Sequence, residues 1–191
     1  MNEFGSEVWQ TIKKQEVFVA APWIKVSVEQ VRLPNGMVVD NYHQIALPDY
    51  AVIVAQTADG RVIMERQYKH GVGKVSLMLP GGTIEDNEDP LVAAKRELLE
   101  ETGYLSDDWQ SLGCFIANAN YGCGKAHVFV ARNVQQVAEP NSGDLEDMEI
   151  VLIQPEEVGD ALRKGEVIVL GAVMAIALAL NPMFTPSKKL I

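Results

Sequence analysis

Between Pro80 and Tyr104 the sequence leaves the backbone little choice. Pro80-Gly81-Gly82 interrupts any regular element and opens a polar loop. At Asp89-Pro90 an aspartate, which caps helices well, precedes a proline suited to the first helical position. The spacing predicts a helix from about Pro90 to Thr102, closed by Gly103 as its C-terminal cap. On a wheel of about 100° per residue, Leu91, Val92, Ala94, Leu98 and Leu99 fill one arc, and Arg96, Glu97, Glu100 and Glu101 fill the opposite one. Lys95 falls inside the apolar arc and must extend its stem toward water.

The polar arc breaks local rules. Glu97, Glu100 and Glu101 stand at i, i+3 and i+4, so three like charges crowd one face. They also occupy the last turn, where the helix dipole disfavours each negative charge by roughly 0.3 to 1 kcal/mol. A solvated acidic surface is one reading of such a helix. A metal site is the other, because hard divalent cations want several oxygen ligands and would relieve the repulsion. Arg96 can hold a neighbouring carboxylate through its planar fork.

The spacing decides between them. Gly82, five residues, Glu88, seven residues, and then Arg96-Glu97-Leu98-Leu99-Glu100-Glu101-Thr102-Gly103-Tyr104 carry every fixed residue of one signature. A chance match is on the order of 10⁻⁸ per starting position. The segment resembles the box of the Nudix hydrolases, with Tyr104 in a slot that usually holds a bulky aliphatic residue. That resemblance implies an α/β class fold, an α/β/α sandwich with a mixed sheet, and hydrolysis of a nucleoside diphosphate linked to a second group. It implies metal ligation by Glu97, Glu100, Glu101 and the carbonyl of Gly81 or Gly82, with Mg²⁺ as the cation and Mn²⁺ as the alternative. Arg96 takes the supporting arginine's place, Glu88 that of an accessory carboxylate, and Gly103 closes the box.

Outside the box, Arg66-Gln67-Tyr68-Lys69, Leu79-Pro80-Gly81-Gly82 and His127-Val128-Phe129-Val130-Ala131 resemble the ADP-ribose pyrophosphatase and nucleoside-diphosphate-sugar branch. The branch implies a homodimer whose N-terminal sheet contacts the nucleotide. It also implies a carboxylate supplied by an acidic loop after the core. Glu146 is the first candidate for that carboxylate, as a catalytic residue and as a further metal ligand, and Asp144 the second; both are assigned catalytic roles together with Glu100 and Arg96. Arg66, Lys69, Tyr121 and Trp23 are the substrate-binding candidates. The chain departs from the branch at Met78, where glutamate is common, and at Asn118-Ala119-Asn120-Tyr121, where many members have proline. A tyrosine near this place marks dinucleoside-polyphosphate hydrolases, which keeps that class as the alternative. A nucleotide-sensing module that binds without turnover is a further one.

Composition narrows the partners. The net charge of −10 would repel a polyanionic duplex, which excludes nucleic acid as the main partner. A bound cation reverses that logic for a small phosphate. Cys114 and Cys123 are too few for a disulfide framework and fit a reducing cytoplasm. The start Met1-Asn2-Glu3-Phe4-Gly5 lacks the blocks of a signal peptide. The apolar run Val167 to Leu180 is short for a membrane span and reads as a buried helix.

Along the chain, Trp23 to Leu47 predicts a hairpin turning at Pro34-Asn35-Gly36, with Ile24, Val26 and Val28 on the apolar face. Residues 1–47 form an N-terminal β extension in this reading, and 48–191 the hydrolase domain. Strands are expected at Tyr50 to Gln56 and Arg61 to Gln67 around Asp59-Gly60, then at Lys74 to Leu79, Leu112 to Ala117, His127 to Arg132 and Glu149 to Ile153. Helices are expected near Glu156 to Lys164 and Val167 to Leu180, and a mobile acidic loop at Glu139 to Asp147. Gly71-Val72-Gly73-Lys74 lacks the first glycine and final hydroxyl residue of a phosphate loop. The three histidines are too scattered for a metal site, and His127 is expected to pack or hydrogen-bond within its strand.

Overall fold

The computed structural model describes residues 8–143, 147–181 and 183–184. The chain forms two compact units, Met1–Pro48 with Ile116–Lys125, and Asp49–Phe115 with Ala126–Ile191.

The first unit carries an antiparallel sheet of β1 (Gln10–Ala20), β2 (Ile24–Arg32) and β3 (Val38–Ala46), in that order. Asn35-Gly36 turns β2 into β3 as its residue types require: Gly36 sits at φ 86°, and Asn35 Oδ1 accepts the Met37 N–H at 3.0 Å. β1 has no counterpart in the sequence reading. The covered face of β2 is also not the one expected. Ser27, Glu29 and Val31 are buried, while Val26 and Val28 are only half-buried. Glu29 tolerates this because Thr11 Oγ1 donates to it at 3.0 Å and Lys14 Nζ lies 3.0 Å away, both from β1.

The second unit is built on β4 (Tyr50–Thr57), β5 (Val62–Lys69), β6 (Lys74–Met78), β7 (Tyr104–Leu105), most of β8 (Asp108–Asn118) and of β9 (Cys123–Gln136), and β10 (Met148–Ile153). Among the described residues the sheet runs β10-β5-β4-β9-β7, with β6 on β5 and β8 on β9. β4 and β9 are parallel and β5 is antiparallel to β4, β6 and β10, so the sheet is mixed.

The helices α1 (Pro90–Thr102), α2 (Pro155–Lys164) and α3 (Leu170–Leu180) cover its two faces. Along β4 the period of two sorts the residues. Ala51, Ile53 and Ala55 face Ala94 and Leu98 of α1, while Val52 and Val54 pack with Val158 and Ala161 of α2 and Ala172, Ala175 and Ile176 of α3. Ile53, Ile63 and Leu98 are fully buried, each stabilising the fold by about 1.5 to 3 kcal/mol. The result is the expected α/β/α sandwich. No helix among the described residues is long and apolar enough to cross a membrane. The Gly71 to Lys74 segment is a single 3₁₀ turn at His70–Val72, ended by Gly73 in the left-handed conformation, between β5 and β6.

One irregularity places the site. β4 pairs with β5 only at Gln56↔Val62, so the first half of β4 needs another partner on that side. The loop after β6 supplies it. Ile53 N donates to Pro80 O, Ala51 N to Gly82 O, and Ile84 N to Asp49 O, each at 2.9 Å.

Candidate active site

Helix α1 begins and ends as its residues dictate. Asp89 Oδ1 accepts the N–H groups of Leu91 and Val92 at 2.9 and 3.2 Å, and Gly103 takes φ 75°. The wheel needs correction at two positions. Val92, placed in the apolar arc, is 55% exposed, whereas Glu101, placed in the polar arc, is buried at 8%. Glu101 lies only about 20° from Ala94 on the wheel, so it shares the edge of the buried stripe. Its carboxylate is tolerated there because Oε2 accepts the Gly81 N–H at 2.7 Å. Lys95 is exposed, as its charge demands.

Arg96 is the hub of the remaining acids. Its Nε and Nη2 grip Glu88 at 3.0 Å each, a bidentate fork. Nη1 donates to Glu97 at 2.8 Å and to Glu100 at 3.2 Å, and Nη2 also donates to the Thr83 carbonyl at 3.1 Å. Hydrogen bonding to Arg96 and to the Glu85 N–H holds the Glu88 carboxyl below the usual carboxylate range. In return, the hydrogen bonds that Arg96 donates to Glu88, and further ones to Glu97 and Glu100, push the guanidinium still higher.

The glycines of the loop are fixed by proximity. Gly81 has φ 150°, and a Cβ there would stand 2.1 Å from Ala51 O. A Cβ on Gly82 would stand 2.5 Å from the Glu97 carboxyl carbon. The structure therefore brings Gly81, Gly82, Glu88, Arg96, Glu97, Glu100 and Glu101 into one patch. Within the described residues no group of three or more His, Cys, Asp or Glu stands close enough to hold a metal ion as placed. The acids point instead to their protein partners: Glu97 and Glu100 to Arg96, and Glu101 to Gly81 N–H.

The other candidates lie on other elements. Arg66 is on β5, its Nε 3.2 Å from Glu149 on the neighbouring β10, and Lys69 ends β5 opposite Lys74. Trp23, 69% exposed, and Tyr121, 42% exposed, belong to the first unit. Asp144 and Glu146 lie outside the described residues. The chain leading to them is anchored at the site, since Asn141 N donates to the Glu100 carbonyl at 2.7 Å. Sequence reasoning missed Glu65, a carboxylate buried to 2% in β5. Its signal was an acid following the apolar run Val62-Ile63-Met64.

The NUDIX domain model matches residues 47–170 of this chain. The chain belongs to the Nudix family. Relatives of this Nudix protein include an ADP-ribose pyrophosphatase of Bacillus subtilis, 29% identical over 154 residues that cover 81% of each chain. The methanol dehydrogenase activator of Bacillus methanolicus is equally similar, at 29% over 154 residues and 81% of each chain. A solved structure described as an ADP compounds hydrolase superposes with a TM-score of 0.77, covering 88% of this chain and 90% of its own at 21% identity. Its likeness establishes the shared fold. The enzyme class is that of a Nudix pyrophosphohydrolase in the ADP-ribose pyrophosphatase-like branch.

Proposed function

We propose that this Nudix enzyme uses a divalent cation, Mg²⁺ or alternatively Mn²⁺, to hydrolyse the diphosphate linkage of ADP-ribose or a related nucleoside diphosphate sugar. The products are a nucleoside monophosphate and a sugar phosphate. The observation that carries the reading is the buried Glu101 carboxylate docked on the Gly81 N–H, beside two acids gathered by one arginine. Stability alone does not account for so many acids in the last turn of a helix.

The donor set fits a hard cation, because every candidate ligand is an oxygen: the carboxylates of Glu97, Glu100 and Glu101 and the carbonyl of Gly81. Gly82 O already accepts a sheet hydrogen bond from Ala51, which favours Gly81 for that role. Held there, such a cation would supply charge neutralisation for the diphosphate and would lower the pKa of a water bound to it. Arg96 orients Glu97 and Glu100, and Glu88 fixes Arg96. Glu146, with Asp144 as the second choice, is assigned to take the proton from the attacking water. The anchoring of Asn141 on Glu100, shortly before these residues in the chain, supports that assignment.

Arg66, Lys69, Trp23 and Tyr121 remain the substrate-binding candidates. The exposed ring of Tyr121 keeps a dinucleoside polyphosphate as the second substrate class. The setting in this reading is a cytoplasmic homodimer paired through the N-terminal extension. Its support is β1, an edge strand along which Ile12, Val17, Phe18 and Val19 are all 44 to 55% exposed.

Purified protein with Mg²⁺ should release nucleoside monophosphate from ADP-ribose or another nucleoside diphosphate sugar, and a chelator should abolish the release. Turnover confined to diadenosine polyphosphates would select the second class. Tight binding in calorimetry with no product from any compound would make the protein a sensor and end the proposal. Light scattering should return twice the 21.0 kDa chain mass, and a monomer would remove the dimer from the reading.

A further inference from the structure

Cys114 on β8 and His127 on β9 are neighbours across adjacent strands, with Sγ 3.7 Å from Nε2. The same nitrogen lies 3.8 Å from Asp49 Oδ2. This group is separate from the box acids, and nothing in the proposed hydrolysis uses it. Cys114 is exposed, while the His127 and Asp49 side chains keep 21% and 33% of their surface. Oxidants from solvent therefore reach the sulfur, with the imidazole half-sheltered behind it.

The chemistry of a thiol depends on its proton. The thiolate is the nucleophile, so a base within reach of the S–H raises reactivity. Position supports the same geometry. His127 pairs with Ala51 in the parallel β4–β9 ladder, and Asp49 precedes β4 directly, so the backbone of two paired strands holds base and carboxylate together.

From this arrangement we infer that Cys114 is a modification site for small soft electrophiles, with His127 as the proton acceptor. With hydrogen peroxide as the electrophile, the sulfur bonds to one oxygen as the O–O bond breaks. The thiol is oxidised by two electrons to a sulfenic acid, and the peroxide is reduced. The proton taken by His127 passes to the departing oxygen, which leaves as water.

The test uses the full chain and hydrogen peroxide, with dimedone trapping and the mass of each cysteine-containing peptide as the readout. Cys114 should be trapped about tenfold faster than glutathione in the same buffer, while buried Cys123 stays unlabelled. His127→Gln should lower the Cys114 rate about tenfold with an unchanged circular dichroism spectrum. An undiminished rate in folded His127→Gln would overturn the inference. If that variant does not fold, the wild-type comparison decides, and a Cys114 rate no faster than glutathione overturns it equally.

Discussion

Glu101→Gln should lower kcat by about 10² to 10³ while the protein stays folded, since losing a charge-stabilising ligand costs several kcal/mol in the transition state. The substitution separates two roles of one side chain. In the wild type, Glu101 Oε2 accepts the Gly81 N–H at 2.7 Å. Glutamine has the same shape and still offers a carbonyl oxygen, so the loop keeps its anchor. What disappears is the negative charge. The cost of burying that charge also disappears, so thermal stability should hold within a few degrees or rise slightly. Steady-state turnover over a Mg²⁺ titration, with a melting curve on the same sample, provides the check. Activity within a few-fold of wild type would remove Glu101 from the metal set.

The sequence shows this charge but hides its anchor, and the same division holds for most of the molecule. Elements bounded by residues with strict backbone demands were legible: Asp89-Pro90 and Gly103 bracket α1, and Asp59-Gly60 separates β4 from β5. β1 was not legible, because its residues are exposed on both faces and Gln10–Ala20 carries no alternation to reveal it. β8 and β9 proved longer than expected. Gly113 and Gly124 lie inside the strands and Gly122 directly before β9, all with positive φ.

At the site, the carboxylates and Arg96 were legible from spacing alone. Two backbone groups were not: the Gly81 N–H that receives Glu101 and the Thr83 carbonyl that receives Arg96. Both depend on the loop pairing with β4, a contact across some thirty residues that no local pattern encodes. The wheel erred at Glu101 for the same reason. The angle already put Glu101 beside Ala94, but its polarity assigned it to the water-facing arc, whereas a buried carboxylate is decided by the donor that meets it.

That dependence on the loop makes Gly81→Ala a strongly disruptive small change. A Cβ at Gly81 would stand 2.1 Å from Ala51 O, 3.0 Å from Ala51 C and 3.1 Å from Val52 Cα, all backbone atoms of the central strand. None of these is the end of a flexible side chain, so the loop itself must move. Its movement breaks the Pro80 and Gly82 carbonyl pairing with β4 and withdraws the Gly81 N–H from Glu101. Taking one donor from a buried carboxylate adds about 1 to 3 kcal/mol to the steric cost.

Gly73→Ala is the natural control. Gly73 also has positive φ, at 65°, but a Cβ there meets nothing within 4 Å. Its cost is conformational alone, about 1 to 2 kcal/mol. Urea titrations should therefore place Gly81→Ala well below Gly73→Ala in stability, and turnover should fall at least about 10²-fold in the first and little in the second. If the two variants match in midpoint and in kcat, the loop does not hold the site, and the role given to the Gly81 backbone fails with it.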